Sequence, residues 1–322
     1  MEGIIVRQFG GPSVLEHATD LPDPQPGPGE ALVRVEAAGV NYTDVYQREG
    51  IYPRDLPFIP GGEGAGIVEA VGEGVRGLTP GDRVAWCDDD ASYAQRTVLP
   101  AGRLVPVPDG ITAETAASVM LQGCTAHFLA TSVAHLGEGD TCLITAGAGG
   151  VGLLLTQYAR ALGATPITLT STEEKAQLSR AAGAAHVLLY GDDVPDRVRD
   201  LTGGCGVDVV FDGVGRATFA GSLASTRVRG LVALFGAASG AVEPFDPQEL
   251  NKHGSLMLTR PHLRHFIATD EELRERAGDV LGRVARGELD VRTSATYPLA
   301  AAARAHEDLE ARRTTGAIVL LP

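Results

Sequence analysis

The segment that most restricts the fold lies between residues 141 and 162. An apolar strand, 141–145, leads into Ala146-Gly-Ala-Gly-Gly-Val-Gly152, and residues 151–162 then read as an amphipathic helix. Gly147, Gly149 and Gly152 satisfy G-x-G-x-x-G. In that pattern the first glycine permits a tight turn, the second lets a pyrophosphate approach the backbone, and the third lets helix pack on strand. The helix N-terminus adds free N–H groups and a favourable dipole. Gly147, Ala148, Gly149, Gly150, Val151 and Gly152 are therefore expected to cradle a dinucleotide.

The surroundings carry the same message. Strands at 166–170, 186–190, 207–211, 231–235 and 255–258 alternate with helices at 172–182, 193–201 and 217–228. Such alternation requires a parallel, doubly wound Rossmann sheet. Upstream the texture differs. Short strands at 3–8, 31–37, 66–71 and 83–86 are separated by Gly/Pro clusters at 22–29 and 60–62, a β-rich, barrel-like pattern. A short helix is expected at 43–47, and a helical stretch at 112–134 broken at Gly123. After residue 264 come a helix at 270–286, a strand, a helix at 300–311 and a terminal strand at 317–321. This tail is expected to return to the first domain. The fold class is thus α/β, with a Rossmann domain at 122–264 inserted in a β-rich domain made of 1–121 and 265–322.

Which dinucleotide binds is decided at the end of the second Rossmann strand. An NAD-type site places an acid there for the ribose 2′-hydroxyl. Here the strand ends Leu169-Thr170-Ser171-Thr172, with no acid at Thr170 or Ser171 and with Lys175 shortly after. Hydroxyls and an ammonium suit a 2′-phosphate, which a carboxylate would repel. Glu173 and Glu174 stand where acids favour a helix start. The basic residues are 25 Arg and only two Lys, Lys175 and Lys252, which singles Lys175 out. The expected cofactor is NADPH.

Composition closes other routes. The net charge of −14, with no basic tract, excludes a general polyanion binder, so a nucleic-acid role is disfavoured. No apolar run is long enough to span a bilayer, and no apolar signal core opens the chain, so a cytoplasmic protein is expected. Cys87, Cys124, Cys142 and Cys205 are scattered without a C-x-x-C pair, which argues against a zinc knuckle or a disulfide framework.

Several further motifs occur in order along the whole chain. They are Gly39-Val-Asn-Tyr-Thr-Asp44 with Tyr46 and Gly50-Ile-Tyr-Pro53, Pro60-Gly-Gly-Glu-Gly-Ala-Gly66, Gly81-Asp-Arg-Val84, Gln122-Gly-Cys-Thr-Ala126, Asp212-Gly-Val-Gly215, Phe235-Gly236 and Thr259-Arg-Pro261. With the glycine loop, they make the chain resemble the zinc-free, zeta-crystallin-like quinone oxidoreductases of the medium-chain dehydrogenase/reductase superfamily. The resemblance implies a GroES-like catalytic domain carrying the Rossmann domain, an active site in the interdomain cleft, and a homodimer. It also implies that Lys175, Tyr190 and Arg312 grip the adenosine 2′-phosphate, beside which the strand-end reading sets Ser171. Arg313 leaves a one-residue ambiguity at Arg312. Asn41, Thr125, Phe235 and Gly236 fall at positions near the nicotinamide or its ribose.

Zinc-dependent relatives carry a Cys where Asn41 stands, and a His where Gly62 precedes Glu63. Asn and Gly cannot replace a thiolate and an imidazole, so no metal residues are expected. Without a metal to polarise an alcohol oxygen, a conjugated acceptor is the natural substrate, because conjugation spreads the charge of an added hydride. Asn41, Tyr46, Tyr52 and Thr125 are the candidates to orient the acceptor or donate to it. A tyrosine hydroxyl can donate and its ring can stack on a flat acceptor. Asp44 is read as a helix cap and Cys124 as a buried thiol. The leading expectation is an NADPH:quinone reductase. Its nearest rival is an enone or 2-alkenal reductase. A non-catalytic NADPH-binding protein, crystallin-like or RNA-binding, represents another class.

Overall fold

The computed structural model describes residues 1–322. The chain divides into two compact units, one of Met1–Cys124 with Ile267–Pro322, the other of Thr125–Phe266.

The second unit is built on six parallel strands. From one edge they run His186–Leu189, Thr165–Thr170, Thr141–Ile144, Val207–Asp212, Thr226–Leu234 and Met257–Thr259. Val209, Val210 and Phe211 pair with Cys142, Leu143 and Ile144. Winding starts at Thr141–Ile144, goes outward one way, then returns to begin the other half at Val207–Asp212. A switch point of this kind lies at the carboxyl ends of those two strands, where open α/β sheets bind ligands. Leu143, Ile167, Leu169, Val210 and Val232 of the sheet pack with Val198, Phe219 and Leu223 of the helices. Helix Gly150–Ala161 buries Leu153, Leu154, Leu155 and Tyr158.

The first unit holds a seven-stranded, mostly antiparallel sheet. Strand Glu30–Gly39 is its hub, pairing with Glu63–Val71, Arg96–Pro100 and Ala317–Leu321. The C-terminal strand thus closes this sheet, and Val40 N–H donates to Ile318 C=O at 3.0 Å. Trp86, Val33, Val84, Ile318 and Leu320 form part of its core. Gly64 is required there, because a Cβ would collide with the Trp86 ring.

Three local expectations need correction. The stretch 112–134 breaks before Gly123, giving helices Ala113–Ala117 and Met120–Phe128 followed by a wider turn, Leu129–Val133. Ser118 ends the first helix by turning its hydroxyl back to Glu114 C=O at 2.7 Å. Gly123 instead gives room to Val280, whose Cγ1 would lie 2.6 Å from a Cβ. The helix expected over 217–228 spans only Phe219–Ser225, and Thr226 opens a nine-residue strand paired first to Val207. The strand expected over 3–8 covers only Gly3–Ile5. Strands Glu16–Ala18, Arg96–Pro100 and Val105–Pro106 carried no readable alternation because two to five residues hold too few periods.

Candidate active site

In the second unit the glycine loop leaves the carboxyl end of Thr141–Ile144, at the switch point. The turn itself falls on Ala146, which has φ of +50°, rather than on Gly147. Gly147 is needed for close packing, since a Cβ would lie 2.6 Å from Thr168 Cβ and 2.8 Å from Ser179 Oγ. At Gly152 a Cβ would strike Ala146 C=O, so this glycine seats the helix on the loop. Helix Gly150–Ala161 starts from Gly149, which offers no side-chain cap, and its first turn holds no acid. Its first intrahelical bond is Leu153 N–H to Gly149 C=O, 2.9 Å. The N–H groups before it lack an intrahelical acceptor. An uncapped helix start free of negative charge fits an anionic pyrophosphate.

Around this loop the expected residues fall as follows. The Tyr190 hydroxyl accepts from Ala146 N–H at 2.7 Å, which fixes Tyr190 beside the loop. Ser171 is exposed just beyond strand Thr165–Thr170. Thr172 caps helix Glu173–Ala181, accepting from Lys175 N–H at 3.3 Å. Glu173 is drawn away to Arg180, 2.5 Å. Phe235 and Gly236 close over the other strand of the switch point, both donating through N–H to Asp212 C=O at 2.8 and 3.3 Å. The Asp212 carboxylate organises that end. It accepts from Val214 N–H (2.9 Å), Gly215 N–H (3.0 Å), Thr218 (2.7 Å) and Ser222 (2.7 Å). Thr125 is buried within helix Met120–Phe128.

In the first unit Asn41 caps helix Tyr42–Arg48 and is buried. Its backbone N–H donates to Asp44 at 2.8 Å, confirming Asp44 as a capping residue. Asn41 Nδ2 donates to Glu63 Oε2 at 2.7 Å, and Asn41 Oδ1 accepts from Gln122 Nε2 at 3.0 Å. Glu63 Oε1 accepts from Leu121 N–H at 2.7 Å, pinning the start of the following helix. Tyr46 and Tyr52 stand together, their rings 5.3 Å apart and tilted edge to face by 64°. Arg313 is committed to Asp308 at 2.5 Å, whereas Arg312 lies close enough to Tyr42 for its charge to act on that phenol.

A second chain of buried polar groups runs behind Asn41. Arg48 Nη1 lies 3.2 Å from His306 Nδ1, His306 Nε2 lies 3.2 Å from the Tyr93 hydroxyl, and Tyr93 donates to Asp44 at 3.1 Å. Arginine only donates, so His306 Nδ1 accepts, Nε2 carries the proton and donates to Tyr93, and Tyr93 passes its own to Asp44. Burial, then the nearby Arg48 charge, push His306 down to about 3, which keeps it neutral. Burial pushes Asp44 up to about 6 and Glu63 up to about 8, against the donors each accepts. Cys87 is raised first by its hydrogen bond with Cys124 and then by burial, so the Cys87 thiol is not poised as a nucleophile.

The sequence reading did not give Glu63, Gln122, Tyr93, His306, Arg48 or Asp212 a role in the site. The signal within reach was an acid, Glu63, opening the buried, apolar half of strand Glu63–Val71.

These groups carry a pH signature in stability. Glu63 holds its proton more tightly folded (about 8) than unfolded (4.5), so its contribution is full below pH 4.5 and lost as pH rises through 8. Asp44 acts in the same sense between 3.8 and about 6. His306 acts oppositely, its contribution lost as pH falls from 6.5 toward 3. Between pH 6.5 and 8 Glu63 dominates, and stability should fall by roughly 1–2 kcal/mol. Thermal melts should show Tm declining across that window in the parent and staying flat in Glu63→Gln. Equal slopes would refute the assignment.

Family models match along both units. Residues 27–117 match the alcohol dehydrogenase GroES-like domain, and residues 150–282 match a family described as zinc-binding dehydrogenase. A Pseudomonas aeruginosa quinone oxidoreductase is 44% identical over 98% of this chain and 97% of its own length. The chain belongs to the zinc-free quinone oxidoreductases of the medium-chain dehydrogenase/reductase superfamily. A mycobacterial relative solved in complex with NADPH is 52% identical and superposes with a TM-score of 0.97 over 100% of both chains. A Burkholderia 2-haloacrylate reductase is 41% identical over 99% of this chain and 98% of its own length.

In this quinone oxidoreductase family member, the word zinc in the matched family's description has no counterpart in the donor set. Asn41, at the position of a zinc-binding thiolate, is a neutral amide with both polar ends already in hydrogen bonds. No group of three or more His, Cys, Asp or Glu side chains is arranged to hold a metal ion.

Proposed function

We propose that this chain is an NADPH-dependent, metal-independent quinone reductase. The observation that carries the proposal is the uncapped helix start at Gly149, together with a second strand that ends without a carboxylate and is followed by Ser171 and Lys175. Gly147 to Gly152 hold the pyrophosphate. As the family resemblance and the strand-end reading imply, Ser171, Lys175, Tyr190 and Arg312 are assigned to the adenosine 2′-phosphate, and Asn41, Thr125, Phe235 and Gly236 to the nicotinamide and its ribose. When bound, NADPH supplies a hydride. The chain's own task is then orientation, and holding the acceptor in a near-attack geometry accounts for much of the rate.

Tyr46 and Tyr52 offer the acceptor two ring surfaces and two hydroxyls. Removing a hydroxyl that donates to the reacting oxygen should lower kcat/KM for the quinone about tenfold while the KM for NADPH stays put. Steady-state kinetics of Tyr46→Phe and Tyr52→Phe check this, and unchanged kcat and KM in both variants would remove the tyrosines from the mechanism.

An enone reductase is the second reading, favoured by the resemblance to the 2-haloacrylate reductase. Rates with 1,4-benzoquinone, 1,2-naphthoquinone and an alkenal separate the two. The substrate is a small molecule in either case. We further propose a cytoplasmic homodimer. No helix is long and apolar enough to cross a membrane. The edge strand Met257–Thr259, with Met257 exposed, is available for pairing with a second copy. Light scattering should give twice the chain mass, and a 33.5 kDa species would exclude the dimer.

A further inference from the structure

We infer that Gln122, rather than Asn41, offers this site's free polar atom to the ligand, its Oε1 accepting a hydrogen bond from an N–H or O–H of the bound molecule. The inference rests on the proposed function and specifies one contact within it.

Asn41 has little left to offer. Its backbone N–H serves Asp44, its Nδ2 serves Glu63, and its Oδ1 receives Gln122. The direction of the chain follows from the acceptors at its inner end. With Glu63 as the carboxylate, its form above about pH 8, Oε2 accepts from Asn41 Nδ2 and the Asn41 oxygen is turned to Gln122. That oxygen in turn claims the NH2 of Gln122. What remains at the outer end is Gln122 Oε1. This atom is buried and has no hydrogen-bond partner, in a side chain only 8% exposed. An amide oxygen left dry and unpaired is costly. Rotating the amide would not help, because it would set Oε1 against Asn41 Oδ1. Helix Met120–Phe128 cannot easily drift to relieve it, since Leu121 N–H is tied to Glu63. Thr125 lies three residues on, on the same face of the helix.

The polarity of the orphan narrows the ligand. A quinone carries only acceptors and leaves Oε1 unsatisfied. Two species in the proposed reaction carry donors. One is the nicotinamide carboxamide, with two N–H. The other is the hydroquinone product, with its hydroxyls. Each could supply the missing hydrogen.

Paired ligands that differ in a donor, compared above pH 8 where Glu63 is the carboxylate, provide the test. The first pair is NADP⁺ and its 3-acetylpyridine analogue, which keeps the carbonyl and loses the N–H groups. The second is a hydroquinone and its dimethyl ether, read as product inhibition. In the parent enzyme the donor-bearing member of at least one pair should bind about threefold to tenfold more tightly. In Gln122→Met, of similar length and without the acceptor, that ratio should collapse toward one. The pair whose ratio collapses names the source of the donor. Binding of 2′,5′-ADP, which engages only the adenosine end, is measured alongside. If 2′,5′-ADP binds both proteins equally and neither ratio changes, the role given to Gln122 is wrong. If 2′,5′-ADP and NADPH fail to bind the parent, the cofactor reading is what has failed. If Gln122→Met does not fold, Gln122→Leu and Gln122→Glu replace it, and the Glu variant, which keeps an acceptor, should retain more discrimination than the Leu variant.

Discussion

Replacing Lys175 with alanine should remove most of the preference for NADPH over NADH, cutting the ratio of the two kcat/KM values by about tenfold to a hundredfold, the worth of one charge-assisted hydrogen bond. The loss should fall on NADPH, with NADH turnover little changed. The local structure explains why this residue and few others would act so. Thr172 starts helix Glu173–Ala181 and holds the backbone of Lys175 in its first turn. Glu173, two residues before it, is paired with Arg180, while Glu174 is directly adjacent. A built-in control exists in Lys252, the other lysine, which is exposed and paired with Glu249 at 2.5 Å. Lys252→Ala should leave the ratio where it was. An unchanged ratio in Lys175→Ala would show that the ammonium is a solvated surface group and that the 2′-phosphate is read elsewhere.

The second large effect concerns stability. Arg48→Met should destabilise the protein by about 3–5 kcal/mol, because it breaks a fully buried charge out of its network. The side chain of Arg48 is 0% exposed. It donates to Gly10 C=O at 3.0 Å, to Glu310 at 2.7 Å and to Glu49 at 3.0 Å, besides facing His306. Methionine fills part of the space but leaves the His306 nitrogen and the Gly10 carbonyl dry and unpaired. For a chain of this size the loss should lower Tm by roughly 4–8 °C. Removing a partly exposed ion pair such as Arg54–Asp90 should cost little by comparison. Thermal denaturation of Arg48→Met beside Arg54→Met reads the contrast, and equal small shifts would mean that the buried network adds nothing. Since the network ends on Asp44, which caps Asn41, the same variant should also weaken cofactor turnover in whatever fraction stays folded.

How far the sequence could be read depended on how local the physics was. The phosphate loop was legible because strand, glycines and helix start are contiguous and each has a steric reason. Even there the positive φ fell on Ala146, since the turn required only one left-handed residue and Gly147 was needed for packing against Thr168 and Ser179. The return of the C-terminal strand was legible from its apolar run, and it pairs with Glu30–Gly39. Helix ends were harder. Ser118 and Thr226 act through a back-bonding hydroxyl and a strand partner that no short window displays. The Glu63–Asn41–Gln122 and Arg48–His306–Tyr93–Asp44 chains were out of reach for another reason. Bonded members lie up to 258 positions apart in sequence, and it is burial, visible only in three dimensions, that shifts the pKa values of Glu63, Asp44 and His306.

The central claim is that a chain with an amide at Asn41 and an ammonium at Lys175 reduces quinones with NADPH and without a metal. Initial rates of NADPH oxidation test it most directly, measured with 1,4-benzoquinone added or omitted, before and after exhaustive treatment with a chelator, and repeated with NADH. Oxidation should depend on the quinone, be unchanged by chelation, and be far slower with NADH. Tight NADPH binding with no quinone-dependent oxidation, or activity that vanishes on chelation and returns with zinc, would contradict it.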